Sequence, residues 1–305
     1  MSERAGKFLL WLEWPEACFR ATAADEEYLR TLVPSSLEVK RVRSEEEVVA
    51  SLPEATHVLT WHFKKEWYGL SRRLGLVATP AAGRELVAWR EAPAGVAVHF
   101  GGFHGEIMAE SVAAFCLAWA RGFFRPPPPS GLWPRTWLAD KCFSLAGTRA
   151  AILGYGKVGR AVGRKLSSLG VSVQGFSRAN FAELPGALAY ADWLVLALPG
   201  DTGTDDILDA SLLACLPPRA AVVNIGRGNA IDEHALADAL ASGKIAAAYL
   251  DVFKDEPTQL NPGSPSRQGI LANPPPNLIA MPHSSAFSPG YVRAAIKELK
   301  DDGCI

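Results

Sequence analysis

Nothing in this 305-residue sequence pairs cysteines in CxxC spacing, sets histidines as HExxH or accumulates charge of one sign. The cysteines stand apart at Cys18, Cys116, Cys142, Cys215 and Cys304, which argues against a disulfide framework and a structural zinc site; reduced, mostly buried thiols are expected. His57, His62, His99, His104, His234 and His283 fall in no metal-ligand pattern, so no metal is expected. A formal net charge of -1 gives no basic surface for nucleic acid and no polybasic membrane patch. The longest apolar stretch, SVAAFCLAWARGFF, is interrupted by Arg121 and is too short to cross a bilayer. The opening MSERAGKFLLWLEW lacks the apolar core and cleavage site of a secretory signal, so a cytoplasmic location is expected.

What is present is a chain with 49% hydrophobic and 21% charged residues, longer than one hydrophobic core normally supports. Two runs of alternating strand and helix patterns predict two α/β domains, each with a doubly wound parallel sheet. The first run contains FLLWLE, LEVKRV, HVLTW, LGLVA and VAVHF; the second contains RAAIL, VSVQGF, WLVLA, AAVVN, AAAYL and NLIAM. Asp232 is positioned to cap the helix EHALADALAS, and Gly243 to end it. A helix from Glu106 to Ala120 and the proline-rich RPPPPSGLWP should connect the domains, whereas NPGSPSRQGILANPPPN reads as a long loop. The last helix, in SPGYVRAAIKELK, should return to the first domain. The expected division is 1–104 with 285–305 as a flavodoxin-like substrate domain, and 105–284 as a dinucleotide-binding domain.

Only the second run carries a glycine fingerprint. In LGYGKVGRAVGRKLSSLG, Gly154, Gly156 and Gly159 follow a strand and open a helix, the context in which glycines admit a pyrophosphate to free backbone amides. About twenty residues further on, an acid usually accepts the ribose 2′-hydroxyl of NAD. Here the strand ends in Ser177 and Arg178, a hydroxyl and a guanidinium suited to the 2′-phosphate of NADP. NADP(H) is therefore the preferred cofactor and NAD(H) a possible one.

Three later segments, NIGRGNAIDEHALADAL, LDVFKDEP and MPHSSAF, follow the fingerprint in an order and spacing that resembles the D-2-hydroxyacid dehydrogenase family. The resemblance is strongest from Leu145 to Phe287 and weaker through VATPAAGRE and HFGGFHGEIMAE. WHF, FHGEIMAE and the Ser-Arg pair look most like the glyoxylate/hydroxypyruvate reductase branch. It implies reduction of a small 2-oxoacid to a D-2-hydroxyacid, in a cleft between the two domains that closes on binding, and a homodimer. Arg227, flanked by Gly226 and Gly228, would anchor the substrate carboxylate and polarise its carbonyl. His283 would be the acid, with Glu256, by resemblance, as its partner.

The resemblance further implies cofactor contacts from Lys157, Val158, Leu198, Pro199, Thr204, Ile225, Gly226, Ser285 and Asp251, the last on the nicotinamide carboxamide. In the first domain it implies substrate contacts from the backbone of Ala82 and Gly83, while Arg84 departs from the family pattern. Trp61, and with less support His62, Phe63 and Phe103, would wall the pocket; His99 and His104 are read as loop residues without catalytic duty. Ser111 stands where many relatives carry a histidine. Short-chain dehydrogenases are disfavoured because no Tyr-xxx-Lys pair follows the fingerprint. A dinucleotide-sensing binding protein on the same fold is the non-enzymatic alternative.

Overall fold

The computed structural model describes residues 6–124, 136–139, 141–254, 256 and 269–305. The proline-rich connection expected at 125–134, and 261–268 of the expected loop, lie outside the described residues. Two compact units form, one from the described residues up to His104 with Phe287–Ile305, the other from Gly105–Ala286.

In the first unit the chain runs β1 (Gly6–Trp11), α1 (Ala23–Leu32), β2 (Leu37–Arg41), α2 (Glu45–Ser51), β3 (Ala55–Thr60), β4 (Leu76–Thr79) and β5 (Ala97–Phe100). The five strands are all parallel, in the order β2-β1-β3-β4-β5. α1 starts at a reciprocal cap: the Thr22 hydroxyl accepts the Asp25 amide while the Asp25 carboxylate accepts the Thr22 amide. Such a cap contributes about 1 kcal/mol.

The second unit runs α3 (Gly105–Ala120), α4 (Thr136–Ala139), β6 (Arg149–Leu153), α5 (Lys157–Ser168), β7 (Ser172–Phe176), α6 (Leu184–Leu188), β8 (Trp193–Leu196), α7 (Ala210–Cys215), β9 (Ala221–Asn224), α8 (Glu233–Ala241), β10 (Ala247–Leu250) and β11 (Leu278–Ala280). After β11 the chain rejoins the first unit as α9 (Tyr291–Asp301), whose Arg293 lies 3.5 Å from Asp25 at the start of α1. Each expected strand is present, most trimmed by a residue or two at one end. α8 has the cap read from the sequence, with Asp232 Oδ1 accepting the amides of His234 and Ala235, and Gly243 ends it at φ +71°.

Why these strands are near-continuous apolar runs follows from the order β11-β10-β9-β8-β6-β7, all parallel. Both faces of the sheet are covered, so successive side chains enter opposite cores. Ala150, Ile152, Trp193, Val195, Val223 and Tyr249 pack on one side with residues of α3 and α5. Ala151, Leu153, Leu194, Leu196, Val222 and Leu250 pack on the other with residues of α6, α7 and α8. Each fully buried leucine or valine of this kind contributes about 1.5–3 kcal/mol. The chain adds β7 outside β6 and then crosses to place β8 on its other side. The loops leaving β6 and β8 therefore diverge at the carboxyl end of the sheet, where open α/β sheets bind ligands.

Two sequence expectations need correcting. His99 lies within β5, paired in register with Ala78, and is not a loop residue; His104 is in the turn before α3, as read, and is buried against Phe103 and Tyr291. Of the cysteines only Cys116 is fully buried, the other four being partly exposed. Cys116 sits on the core face of a helix, and burial pushes its thiol far up. Among the described residues no helix is long and apolar enough to cross a membrane.

Candidate active site

The carboxyl ends of the second sheet gather most of the residues picked out from the sequence. β6 ends in Gly154, which adopts φ +95°; a Cβ there would lie 2.5 Å from the Ala197 carbonyl oxygen. At Gly159 a Cβ would lie 2.1 Å from the Gly154 oxygen, so the turn and the first turn of α5 pack backbone to backbone. At Gly156, by contrast, a Cβ would meet nothing within 4 Å. Gly156 is also the N-cap of α5 and supplies no side-chain cap, which leaves the amide-rich, positive end of the helix facing open space. That cradle fits a dinucleotide pyrophosphate. Lys157 and Val158 form the first turn of the same helix.

β8 leads into Leu198 and Pro199, and the buried Thr204 closes that loop by donating to the Pro199 oxygen at 2.8 Å. β9 leads into Ile225, Gly226 and Arg227. Asn224, fully buried at the end of the strand, clamps this turn: its Oδ1 accepts the Gly226 amide at 3.0 Å and its Nδ2 donates to the Arg227 carbonyl at 3.0 Å. A side chain at Gly228 would put its Cβ 1.9 Å from the Phe253 carbonyl carbon, so only glycine lets the turn seat on the strand exit of β10. Arg227 is half-buried, with Nη1 donating to the Gly226 oxygen at 2.9 Å.

His283 is one of two non-glycine residues at positive φ among the described residues, at +52°, the other being Asp206 at +49°. Such a conformation costs on the order of 1–3 kcal/mol and persists only where its surroundings enforce it. Asp251, entirely buried after β10, does so. Its carbonyl accepts the His283 amide at 2.8 Å, and its carboxylate accepts the Ser284 amide, the Ser285 amide and the Ser285 hydroxyl. Asp251 and Ser285 thus anchor the histidine turn. The ring Nδ1 lies 2.8 Å from Glu256 Oε2, while Glu256 Oε1 accepts the Phe253 amide at 3.0 Å.

The hydrogen bond to Glu256 raises the His283 pKa above its ordinary value; burial and Arg227 oppose this, and the Glu256 charge reinforces it. Burial alone would raise Glu256, but the His283 bond and charge, the Phe253 amide and Arg227 together hold it below the usual carboxylate value. The pair therefore favours imidazolium with carboxylate. With Nδ1 directed at Glu256, Nε2 is the ring nitrogen left to carry a proton elsewhere.

Sequence reasoning gave no role to two buried polar residues here. Asn224 was visible only as part of NIGRG. Glu233, in the first turn of α8, accepts the Lys254 amide at 2.9 Å and the Ile270 amide at 3.3 Å, holding the segment that leads to Glu256. A buried acid in a helix start is the signal that could have marked it.

At the other edge, Ser177 and Arg178 follow β7. The Ser177 amide donates to Asn180 Oδ1 at 2.8 Å and its hydroxyl contacts the same oxygen at 3.3 Å, so the serine helps close a turn from which Arg178 projects, its side chain 88% exposed.

In the first unit, Ala82 is exposed and Gly83 buried beyond β4, and Arg84 stacks on Trp89 and Phe100 with its guanidinium about 5 Å from each ring. Trp61 is buried among Trp14, Phe19 and Tyr291, and its indole donates to the Phe19 carbonyl at 3.2 Å. It offers a ring face and no free polar group.

The family model of the NAD binding domain of D-isomer specific 2-hydroxyacid dehydrogenases matches residues 129–285. The chain belongs to that family. By family it is an NAD(P)-dependent oxidoreductase. It is similar to the glyoxylate reductase of Thermococcus kodakarensis, with 29% identity over 74% of this chain and 72% of that one. Among solved structures it resembles a D-isomer specific 2-hydroxyacid dehydrogenase from Xanthobacter autotrophicus Py2 in complex with NADPH and MES, with a TM-score of 0.72, 25% identity and 97% and 95% of the two chains covered. It also resembles an NADPH-dependent glyoxylate/hydroxypyruvate reductase from Sinorhizobium meliloti in complex with NADP and malonate, with a TM-score of 0.64, 25% identity and 98% and 92% covered.

Proposed function

We propose that this dehydrogenase reduces a small 2-oxoacid of the glyoxylate or hydroxypyruvate kind to the D-2-hydroxyacid, with NADPH preferred over NADH. The observation that carries this reading is the His283–Glu256 pair on its strained, anchored turn, in the electrostatic field of Arg227. When bound, the reduced nicotinamide supplies the hydride. The protein's own groups would do the rest. Arg227 would hold the substrate carboxylate and draw charge onto the carbonyl oxygen, and His283 would pass the Nε2 proton to that oxygen as it becomes an alkoxide. Glu256 would hold the imidazole oriented and charged. The backbone of Ala82 and Gly83 is assigned to the substrate carboxylate and the Trp61 ring to the pocket wall, on the likeness to the family. Asp251 acts through the His283 turn.

The pH dependence follows from the shifted pair. Reduction needs the imidazolium, so kcat/KM should be full below the raised His283 pKa and fall as pH rises through it. Oxidation of the hydroxyacid needs the neutral ring and should show the opposite limb. In Glu256→Gln the partner charge is gone and burial and Arg227 remain, so the falling limb of reduction should move to lower pH. A pH profile of kcat/KM that keeps its limb in that variant would remove Glu256 from the proposal.

The cofactor assignment rests on Arg178, the only charged residue in the turn after β7. Initial rates with glyoxylate and hydroxypyruvate, each with NADPH and NADH, test the whole reading. Arg178→Ala should lower kcat/KM for NADPH by roughly ten- to a hundredfold, consistent with loss of one charge-assisted contact of about 1.5–3 kcal/mol, and leave NADH nearly unchanged. Equal losses with the two coenzymes would refute the 2′-phosphate contact. No turnover of any 2-oxoacid by the wild type would favour a dinucleotide sensor.

A further inference from the structure

The charge that β7 lacks is present nearby, on another loop. β7 and β8 flank β6, so the residues leaving them stand on either side of the glycine turn at 154–156. Arg178 leaves β7; Asp201 lies five residues beyond the end of β8, and its Oδ2 sits 3.2 Å from Arg178 Nη2. Of the two, Asp201 is the fixed member. Its Oδ1 accepts the Gly203 amide at 3.0 Å, and its carbonyl accepts the Thr204 amide at 2.9 Å and Asn229 Nδ2 at 3.3 Å. Arg178 reaches across to it on a side chain 88% exposed. The space beside the pair is kept clear by Gly203, where a Cβ would lie 3.1 Å from Asp201 Oδ1 and 3.9 Å from Arg178 Nη2.

An ion pair this exposed contributes little to stability. Its consequence is electrostatic: a guanidinium that is to receive a phosphate dianion already faces a carboxylate. We propose that Asp201 is a specificity-determining residue that weakens discrimination between the two coenzymes. The inference rests on the reading of Arg178 as the 2′-phosphate group. A 2′-phosphate must displace or share Asp201 and meets its negative charge, so part of its attraction to Arg178 is lost. A bare ribose 2′-hydroxyl meets an acceptor in the same carboxylate, the group that the β7 end does not supply. Asp201 thus keeps NADH usable in a site whose cation in the turn after β7, Arg178, favours NADPH.

The test is Asp201→Asn, which keeps an oxygen for the Gly203 amide and removes the charge. Affinity would be measured calorimetrically for adenosine 2′,5′-bisphosphate against 5′-AMP, which report on the adenosine half alone, and kcat/KM for NADPH against NADH. A thermal melt accompanies each variant, and Asp201→Ala serves as a second substitution. The expected result is a rise of about tenfold in the ratio of affinities favouring the 2′-phosphorylated ligand, and a parallel rise in the NADPH to NADH ratio. If the ratio stays within about twofold in both Asp201 variants while Arg178→Ala lowers it, the Asp201 inference is overturned and the Arg178 reading stands. If neither residue moves the ratio, both fall.

Discussion

Replacing His283 is expected to lower kcat/KM for 2-oxoacid reduction by roughly 10²–10⁴, the usual contribution of a positioned acid, with coenzyme affinity close to wild type. The reason is that one ring carries both the geometry and the proton. Asparagine is the better first substitution than alanine, because the residue at φ +52° must accept a left-handed backbone, which asparagine tolerates and alanine does not. His283→Asn therefore removes the acid while leaving the turn held by Asp251 in place. Coenzyme binding followed by nicotinamide fluorescence separates the two effects. Turnover within about tenfold of wild type would mean that another group delivers the proton. A large loss of coenzyme affinity as well would mean that the turn, and not the imidazole, had been disturbed.

How much of this was legible in the sequence depends on how local the cause is. The buried strands were readable because a parallel sheet covered on both faces demands unbroken apolar runs such as WLVL and AVVN. Gly154 and Gly159 were readable because their conformation and close packing admit no side chain. Asp232 and Gly243 were readable as helix punctuation. What escaped was set by distance across the fold. The Arg178–Asp201 pair joins two loops brought together only because β6 lies between β7 and β8, and DTGT read locally is a polar turn. Glu233 acts by accepting backbone amides of segments 21 and 37 residues away, a relation no spacing rule encodes, whereas Asn224 bonds its own turn two and three residues on and was overlooked although its cause is local. His99 was placed in a loop because VAVHF was read without its pairing partner, whereas register with Ala78 makes it part of β5. Asp251 is the instructive middle case: its position was marked, while the hydrogen bonds of its carboxylate to the turn that carries His283 were not.

Arg227→Lys is expected to cost about 10²–10³ in kcat/KM for reduction, with KM for the 2-oxoacid raised and kcat lowered together, because a single ammonium cannot span a carboxylate and a carbonyl oxygen. The turn itself should survive, since Asn224 holds backbone and not side-chain atoms of that segment. A neutral substitution adds a second signature. The Arg227 charge works against the His283 imidazolium, so in Arg227→Gln the falling limb of the pH profile should move to higher pH, opposite in sign to the shift expected for Glu256→Gln. Lysine keeps the charge and should leave the limb nearly where it was. Addition of guanidinium ion to Arg227→Ala should recover part of the lost rate if the fork, and not the fold, is what was removed. Opposite limb shifts in the two glutamine variants require Arg227 and Glu256 to act on the same imidazole; shifts of one sign, or none, would separate Arg227 from the proton-transfer step and leave it as a carboxylate anchor alone.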